Sequence, residues 1–272
     1  MNVKNVLKQT GFTFKKAFGQ NFLTDESLLA GVVERSGVNE NTVVLEIGVG
    51  AGTLTREIAK RAKRVVGYEI DKSLQPVLNE TLKDFSNVEI VYEDVMKSTM
   101  QEIENKLNEN YILVANLPYY ITTPIVMRFI EEAKNVLAIV ITIQKEVALR
   151  LVAKPKTSDY GSITVSVDAE SDGEIIEYIG REKFYPVPNV DSAVVKLTLN
   201  RNKYQNLNPE KFKKLVKCAF TMRRKTLVNN LIKGYGLTRE QAENTILSLG
   251  YDAGVRGEEL STQDFIKISN AL

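Results

Sequence analysis

Five consecutive residues, "NLPYY" from Asn116 to Tyr120, place an amide, a rigid turn and two flat rings directly after the apolar run "YILVA". Proline at 118 fixes φ and removes a backbone donor, so the chain must turn there. The turn can leave the Asn116 side-chain oxygen and the Leu117 carbonyl pointing the same way. Two convergent acceptors match the two N–H groups of an exocyclic amine. An adenine amine is a poor nucleophile, because its lone pair is spread into the ring. Accepting both hydrogens favours a pyramidal nitrogen with its lone pair aimed at an electrophilic carbon, which is orientation plus electrostatic stabilisation. Tyr119 offers a face on which a flipped or unpaired base can stack, worth about 1–3 kcal/mol. An isolated asparagine before a proline is also an ordinary turn former, so the neighbouring motifs must decide.

The first of these is "LEIGVGAGTLT" (45–55), with glycines at 48, 50 and 52. Glycines there let the backbone bend sharply and let a ligand come close. A dinucleotide fingerprint would need its third glycine at 53, where this chain has Thr53, and this weakens a diphosphate reading. Glu46 inside the motif would repel a phosphate but could help hold a cation. Glu69 ends "GYE", and an acid there can accept both hydroxyls of a ribose. Asp94, in "YEDV", can accept a hydrogen bond from an adenine amino group. Each acid alone could be a capping or turn residue. Together with the glycines they suit a nucleoside carrying a positive group, and S-adenosylmethionine is that ligand.

These residues need strand ends to stand on, and the pattern supplies them. Short β-branched runs at 42–48, 64–70, 88–94, 111–117 and 136–144 alternate with helical spacings at 25–36, 51–62, 74–84, 100–110 and 124–132. Such alternation predicts a parallel sheet with helices on both faces and ligands at the C-terminal strand ends. After "KEVALRLVA" and "KTSDYGS" the rhythm changes. "ITVSVDAES" and "SAVVKLTLN" read as strands that extend the sheet in antiparallel fashion. "RNKYQNL" (201–207) reads as a polar linker, and from Asn208–Pro209 onward the chain reads as short capped helices. The expectation is an α/β domain over residues 1–200 and a small all-α domain over 201–272.

Composition narrows the chemistry. The 272 residues contain no histidine and one cysteine, Cys218. Histidine general bases, serine–histidine or cysteine–histidine pairs, cysteine-based zinc sites and intrachain disulfides are therefore excluded, and no metal is expected. Cys218 reads as a packing residue. A methylated amine is a strong acid and needs no such base to lose its proton. No apolar run approaches the ~20 residues of a membrane span, and the N-terminus lacks a secretory core. A cytoplasmic, monomeric protein is expected. Net charge is only +2, yet Arg201 to Lys233 carries ten positive residues against one acid, Glu210. Like charges so concentrated cost stability, which points to a polyanionic partner.

With these motifs in order, the chain resembles the ribosomal RNA adenine N6-dimethyltransferases, and within them the bacterial small-subunit branch. "FGQNFL" (18–23) is similar to the family's N-terminal cofactor-closing segment. "LEIGVGAGTLT", "YEID", "ED" and "NLPYY" follow the family's order, "FYPVPNVDSAVVKL" (184–197) resembles its substrate loop, and "AFTMRRKTLVNNL" (219–231) resembles its basic helix. The resemblance implies a Rossmann-like class I methyltransferase fold and S-adenosylmethionine bound by Asn21, Leu23, Gly48, Gly50, Glu69, Asp94 and Asn116. It implies a target site of Asn116, Leu117, Tyr119 and Phe184, with Phe184 stacking opposite Tyr119. It implies 16S ribosomal RNA within the small subunit or its precursor as partner, touched by Arg223, Arg224 and Lys225. The implied reaction is N6,N6-dimethylation of two adjacent adenosines near the RNA 3′ end. The large-subunit branch shares the catalytic motifs. The residues alone also admit a DNA or small-molecule N-methyltransferase, or a non-catalytic RNA-binding factor.

Overall fold

The computed structural model describes residues 3–12, 21–23 and 25–272; positions 18–20 of the expected cofactor-closing segment lie outside them. The chain divides into two compact units. One runs to Ala148 and resumes over Glu174–Leu199; the other comprises Leu149–Gly173 and Asn200–Leu272.

The first unit begins with α1 (Val3–Gln9), the two-residue β1 (Phe22–Leu23) and α2 (Glu26–Ser36). Asp25 caps α2 by accepting the Leu28 N–H, and Gly37, at φ 89°, ends it in the left-handed region. Then come β2 (Val43–Ile47), α3 (Thr53–Ala59), β3 (Arg64–Tyr68), α4 (Gln75–Thr81), β4 (Val88–Val91), α5 (Met100–Leu107), β5 (Tyr111–Asn116), α6 (Tyr119–Glu132) and β6 (Val136–Gln144). Every residue of β2 is buried, as a strand covered on both faces requires. Later elements are α7 (Lys145–Leu151), α8 (Ser162–Asp168), β7 (Ser171–Ile179), β8 (Phe184–Tyr185) and β9 (Ser192–Leu199).

The seven-stranded sheet has the order β4-β3-β2-β5-β6-β9-β7. β2 pairs in parallel with β3 and β5, β3 with β4, and β5 with β6, while β9 runs antiparallel to β6. The chain therefore leaves β2 toward β3 and β4, then returns to place β5 on the other side. Ile47 is in register with Tyr68 on one side and Ala115 on the other. The ends of β2, β3 and β5 thus open on one edge at the topological switch point, where open α/β sheets bind ligands. Val44, Ile58, Val65, Ile112, Val114 and Val140 pack with α2 residues into one core. Phe22, Val49, Ala51, Leu74, Val77 and Leu78 form another beside the glycine loop. This is the expected Rossmann-like class I methyltransferase sheet with its antiparallel addition.

Three expectations are corrected. "ITVSVDAES" is not a strand but α8. Ile163, Val165 and Val167 alternate as a strand would, yet Val165 and Ala169, one helical turn apart, are buried in the core of the second unit. The local period was overridden by helical neighbours, and the strand follows as "SDGEIIEYI" (β7). Residues 149–173 accordingly belong with the C-terminal helices, so 1–200 is not one contiguous unit. Finally, α6 begins at Tyr119 and carries Pro124 inside it. The Ile121 N–H and the Thr122 hydroxyl both bond the Pro118 carbonyl, which starts the helix earlier than a proline-first reading allows.

The second unit adds α9 (Pro209–Ala219), α10 (Leu227–Tyr235), α11 (Arg239–Ser248) and α12 (Thr262–Ala271) around Phe212, Leu215, Leu231, Ile246 and Phe265. Its helices start as written in the sequence: Asn208, Thr226, Thr238 and Ser261 each accept a backbone N–H from the first turn. Among the described residues no helix is long and apolar enough to cross a membrane.

Candidate active site

A cavity of about 330 Å³ lies at the switch point of the first unit. Its lining includes Asn21, Leu23, Gly48, Gly50, Glu69, Asp94, Asn116, Leu117 and Phe184. Residues spread over more than 160 positions of sequence meet on one surface.

The glycine loop shapes one wall. The Gly48 N–H donates to the Tyr68 carbonyl at 2.9 Å, and Gly48, Gly50 and Gly52 all have positive φ. Only glycine adopts this freely. At Gly50 space also forbids a side chain, because a Cβ would lie 2.9 Å from the Phe22 ring. Thr53 opens α3 and donates its hydroxyl to the Leu23 carbonyl at 3.0 Å, tying β1 to the loop.

Glu69 follows β3 and is buried. The Gly50 N–H donates to Oε2 and the Asp71 N–H to Oε1, both at 2.8 Å. Burial pushes this carboxyl above the ordinary glutamate value, and the two amides oppose that shift. Asp94 accepts the Met96 N–H at 3.0 Å and borders the cavity. Beneath the loop, Glu46 is fully buried on β2, and neither of its oxygens nor the Thr55 hydroxyl completes a hydrogen bond. Burial, then the Glu69 carboxylate, push it up to about 8, partly offset by the nearby Thr55 hydroxyl.

Asn116 ends β5 in register with Thr142 of β6. Its carbonyl lies 3.3 Å from where a Gly48 Cβ would stand, so the turn after β5 and the glycine loop approach this closely only because residue 48 is glycine. Tyr119 opens α6; its side chain is outside the described part of the structure. Phe184 reaches the cavity through β8, which pairs antiparallel with β1 in the register Leu23 with Phe184 and Phe22 with Tyr185. At 3 % exposure it forms cavity wall as much as ring face. Just before β8, Lys183 bonds Asp25 at 2.9 Å, and this contact together with Ser27 and the Leu28 amide holds the Asp25 carboxyl well below the usual range.

Sequence reasoning missed Phe22, Ile70, Met96 and Tyr120 on the cavity lining. Ile70 and Met96 are exposed apolar residues directly after Glu69 and two residues after Asp94. Their position beside the two acids was the available signal. The basic triplet lies in the other unit. Arg223, Arg224 and Lys225 are exposed, but they occupy the turn between α9 and α10 rather than a helix. Thr226 restarts the helix by capping, and the Asn230 side chain bonds both the N–H and the carbonyl of Met222. Arg223 is engaged within its unit, with Glu258 at 2.9 Å and the Ser158 carbonyl at 2.6 Å.

Among the described residues no lysine or arginine lines the cavity, while Glu69, Glu93 and Asp94 do. Such a wall disfavours phosphates and suits an apolar body bearing positive charge. The chain from residue 11 to 272 matches the family model "Ribosomal RNA adenine dimethylase". The chain belongs to the ribosomal RNA adenine dimethylase family. This dimethylase is 44 % identical to a ribosomal RNA small subunit methyltransferase A of Enterococcus faecalis, over 99 % of this chain and 94 % of that one. A protein of the same name from Geobacillus thermodenitrificans is 42 % identical over the same shares. Among solved structures, a dimethyladenosine transferase from Plasmodium falciparum superposes with a TM-score of 0.78 at 23 % identity, covering 91 % of this chain and 95 % of that one, a likeness of fold. The 23S rRNA methyltransferase ErmE gives 0.70 at 28 % identity, covering 92 % and 99 %. The dimethylase is an S-adenosylmethionine-dependent methyltransferase, and the acid-lined, glycine-walled cavity fits that cofactor.

Proposed function

We propose that this dimethylase converts two adjacent adenosines near the 3′ end of small-subunit (16S) ribosomal RNA to N6,N6-dimethyladenosines, as a step of small-subunit maturation in the cytoplasm, acting as a monomer. The observation that carries the reading is the meeting of Asn116 and Leu117 with the acids and glycines in one cavity. Full-length likeness to proteins named for the small subunit supports the choice of RNA.

When bound, S-adenosylmethionine supplies an electrophilic methyl group on a positively charged sulfur. Glu69 would hold the ribose hydroxyls, and its fixed position comes from the Gly50 and Asp71 amides. Asp94 would accept from the adenine amino group, and Ile70 and Met96, which also line the cavity, would border the adenine ring. Asn21 and Leu23 close the cavity from the β1 side. Asn116 Oδ1 and the Leu117 carbonyl accept the two hydrogens of the target N6 amine and keep its lone pair available for attack. Tyr119 stacks on the target base, and Phe184 bounds the pocket that receives it. The proton released from the methylated nitrogen passes to water. Exposed Arg224 and Lys225, with Arg223 anchored beside them, meet the RNA backbone.

Methyl transfer from tritiated cofactor to small-subunit particles lacking these methyl groups tests the proposal. Label is expected in two adjacent adenosines of the small-subunit RNA. Label entering large-subunit RNA, DNA or a small amine, with none in that RNA, would discard it.

A further inference from the structure

Outside the cavity, one exposed aromatic residue at the same sheet edge is paired with a cation. Tyr178, near the end of β7, is 55 % exposed, far more than a strand tyrosine needs for packing. The Lys145 ammonium stands over its ring, 5.5 Å from the centroid. Lys145 is itself exposed. Glu177 is bonded to Arg35, the Arg181 guanidinium donates to the Asn189 carbonyl, Asp191 accepts the Arg181 backbone N–H, and Lys183 is bound to Asp25.

Topology places this pair beside the target site. Lys145 immediately follows β6 and donates its N–H to the Asp191 carbonyl at 3.0 Å, so the ladder with the β9 end continues through it. Thr142 is in register with Asn116. Three residues at about 3.3 Å each and one strand spacing of about 4.8 Å put Lys145 roughly 11 Å from Asn116. β7 ends at the same edge, because Arg181 meets Asp191 just before β9 starts.

We propose that Tyr178 and Lys145 form a second nucleotide platform next to the target pocket. Tyr178 stacks an unpaired base adjacent to the flipped adenosine, and Lys145 neutralises the phosphate beside that base. The reading rests on the proposed RNA substrate and deepens it. A base taken out of a helix leaves its neighbours unstacked. The ring face that Lys145 does not cover accepts any base, and the lysine supplies the phosphate contact. Two adjacent targets make such a holding point useful, since one base must be held aside while the other reacts.

The test uses the full chain, undermethylated small-subunit particles, and a short RNA of the target region with 2-aminopurine next to the target adenosine. Binding by the wild type and by Tyr178→Phe is expected to quench the probe, whereas Tyr178→Leu leaves it bright. Tyr178→Leu should raise KM for particles about fivefold or more with kcat near wild type. Lys145→Met should reduce the slope of log affinity against log salt by about one. Cofactor affinity and melting temperature should not change in either variant. Equal quenching and equal KM in Tyr178→Leu would overturn the platform. Quenching by a wild-type enzyme that transfers no methyl group to the particles would leave the platform standing and remove the proposed substrate instead.

Discussion

The cavity at the end of β2 and the surface around α9 carry opposite charge and hold it in opposite ways. Glu69, Glu93 and Asp94 line the cavity, and Glu69 is buried and fixed by two backbone amides. On α9, Lys211, Lys213, Lys214 and Lys217 stand exposed opposite the buried Phe212, Leu215 and Val216. Lys213 and Lys217 are an i,i+4 like-charge pair, which costs an isolated helix a few tenths of a kcal/mol. Buried charge is specific and expensive, and suits one small ligand of defined shape. Exposed charge is cheap and screened, and suits a long polyanion met in many registers. The fold keeps the two in separate compact units, so that each can be perturbed alone.

That separation is what the variants should reveal. The largest effect is expected for Asn116→Ala: single-turnover methyl transfer should fall by about 10²-fold or more, while RNA affinity by filter binding stays within a few-fold. Unchanged turnover would remove the acceptor role. Glu69→Ala should weaken cofactor binding by about tenfold or more in calorimetry, because a charged acceptor of two hydroxyls is lost, with RNA affinity unaltered. In the other unit, Arg224→Ala with Lys225→Ala should lower the salt slope of RNA binding by about two, at roughly one per phosphate contact, and leave cofactor affinity intact. A change in both affinities from either variant would show that the two regions are not independent.

The smallest effect on transfer and binding is expected at Glu46, whose role is read in stability. Its folded-state value of about 8 exceeds the ordinary 4.5. Below 4.5 both folded and unfolded forms hold the proton, and between 4.5 and 8 only the folded form does. The wild type should therefore lose stability as pH rises through that window, at a slope of up to about 1.4 kcal/mol per pH unit. Glu46→Gln, which cannot ionise, should lack this fall in denaturant melts of the cofactor-free protein. Parallel pH curves for the two proteins would place the proton elsewhere.

Much of the cavity was legible because parallel strands buried on both faces read as continuous β-branched runs, and chemistry sits at their ends. Gly48, Glu69, Asp94 and Asn116 could be placed from strand order alone, and all four line the cavity. Contacts between distant segments were not legible. Nothing local in "FL" at 22–23 or "FY" at 184–185 announces that these pairs form a two-stranded ladder. The apolar rim residues Ile70 and Met96 look like core until the fold exposes them. The alternating valines of α8 mislead for the opposite reason, since their helical partners lie some fifty residues downstream in α9.

The contact between Gly50 and the Phe22 ring has an evolutionary corollary. An alanine at 50 would strike that ring, and the left-handed backbone there would add its own strain. A lineage carrying such an alanine would find partial relief by trimming the aromatic at 22. Complete relief would also require redrawing the bend, so the two positions should drift together rather than singly.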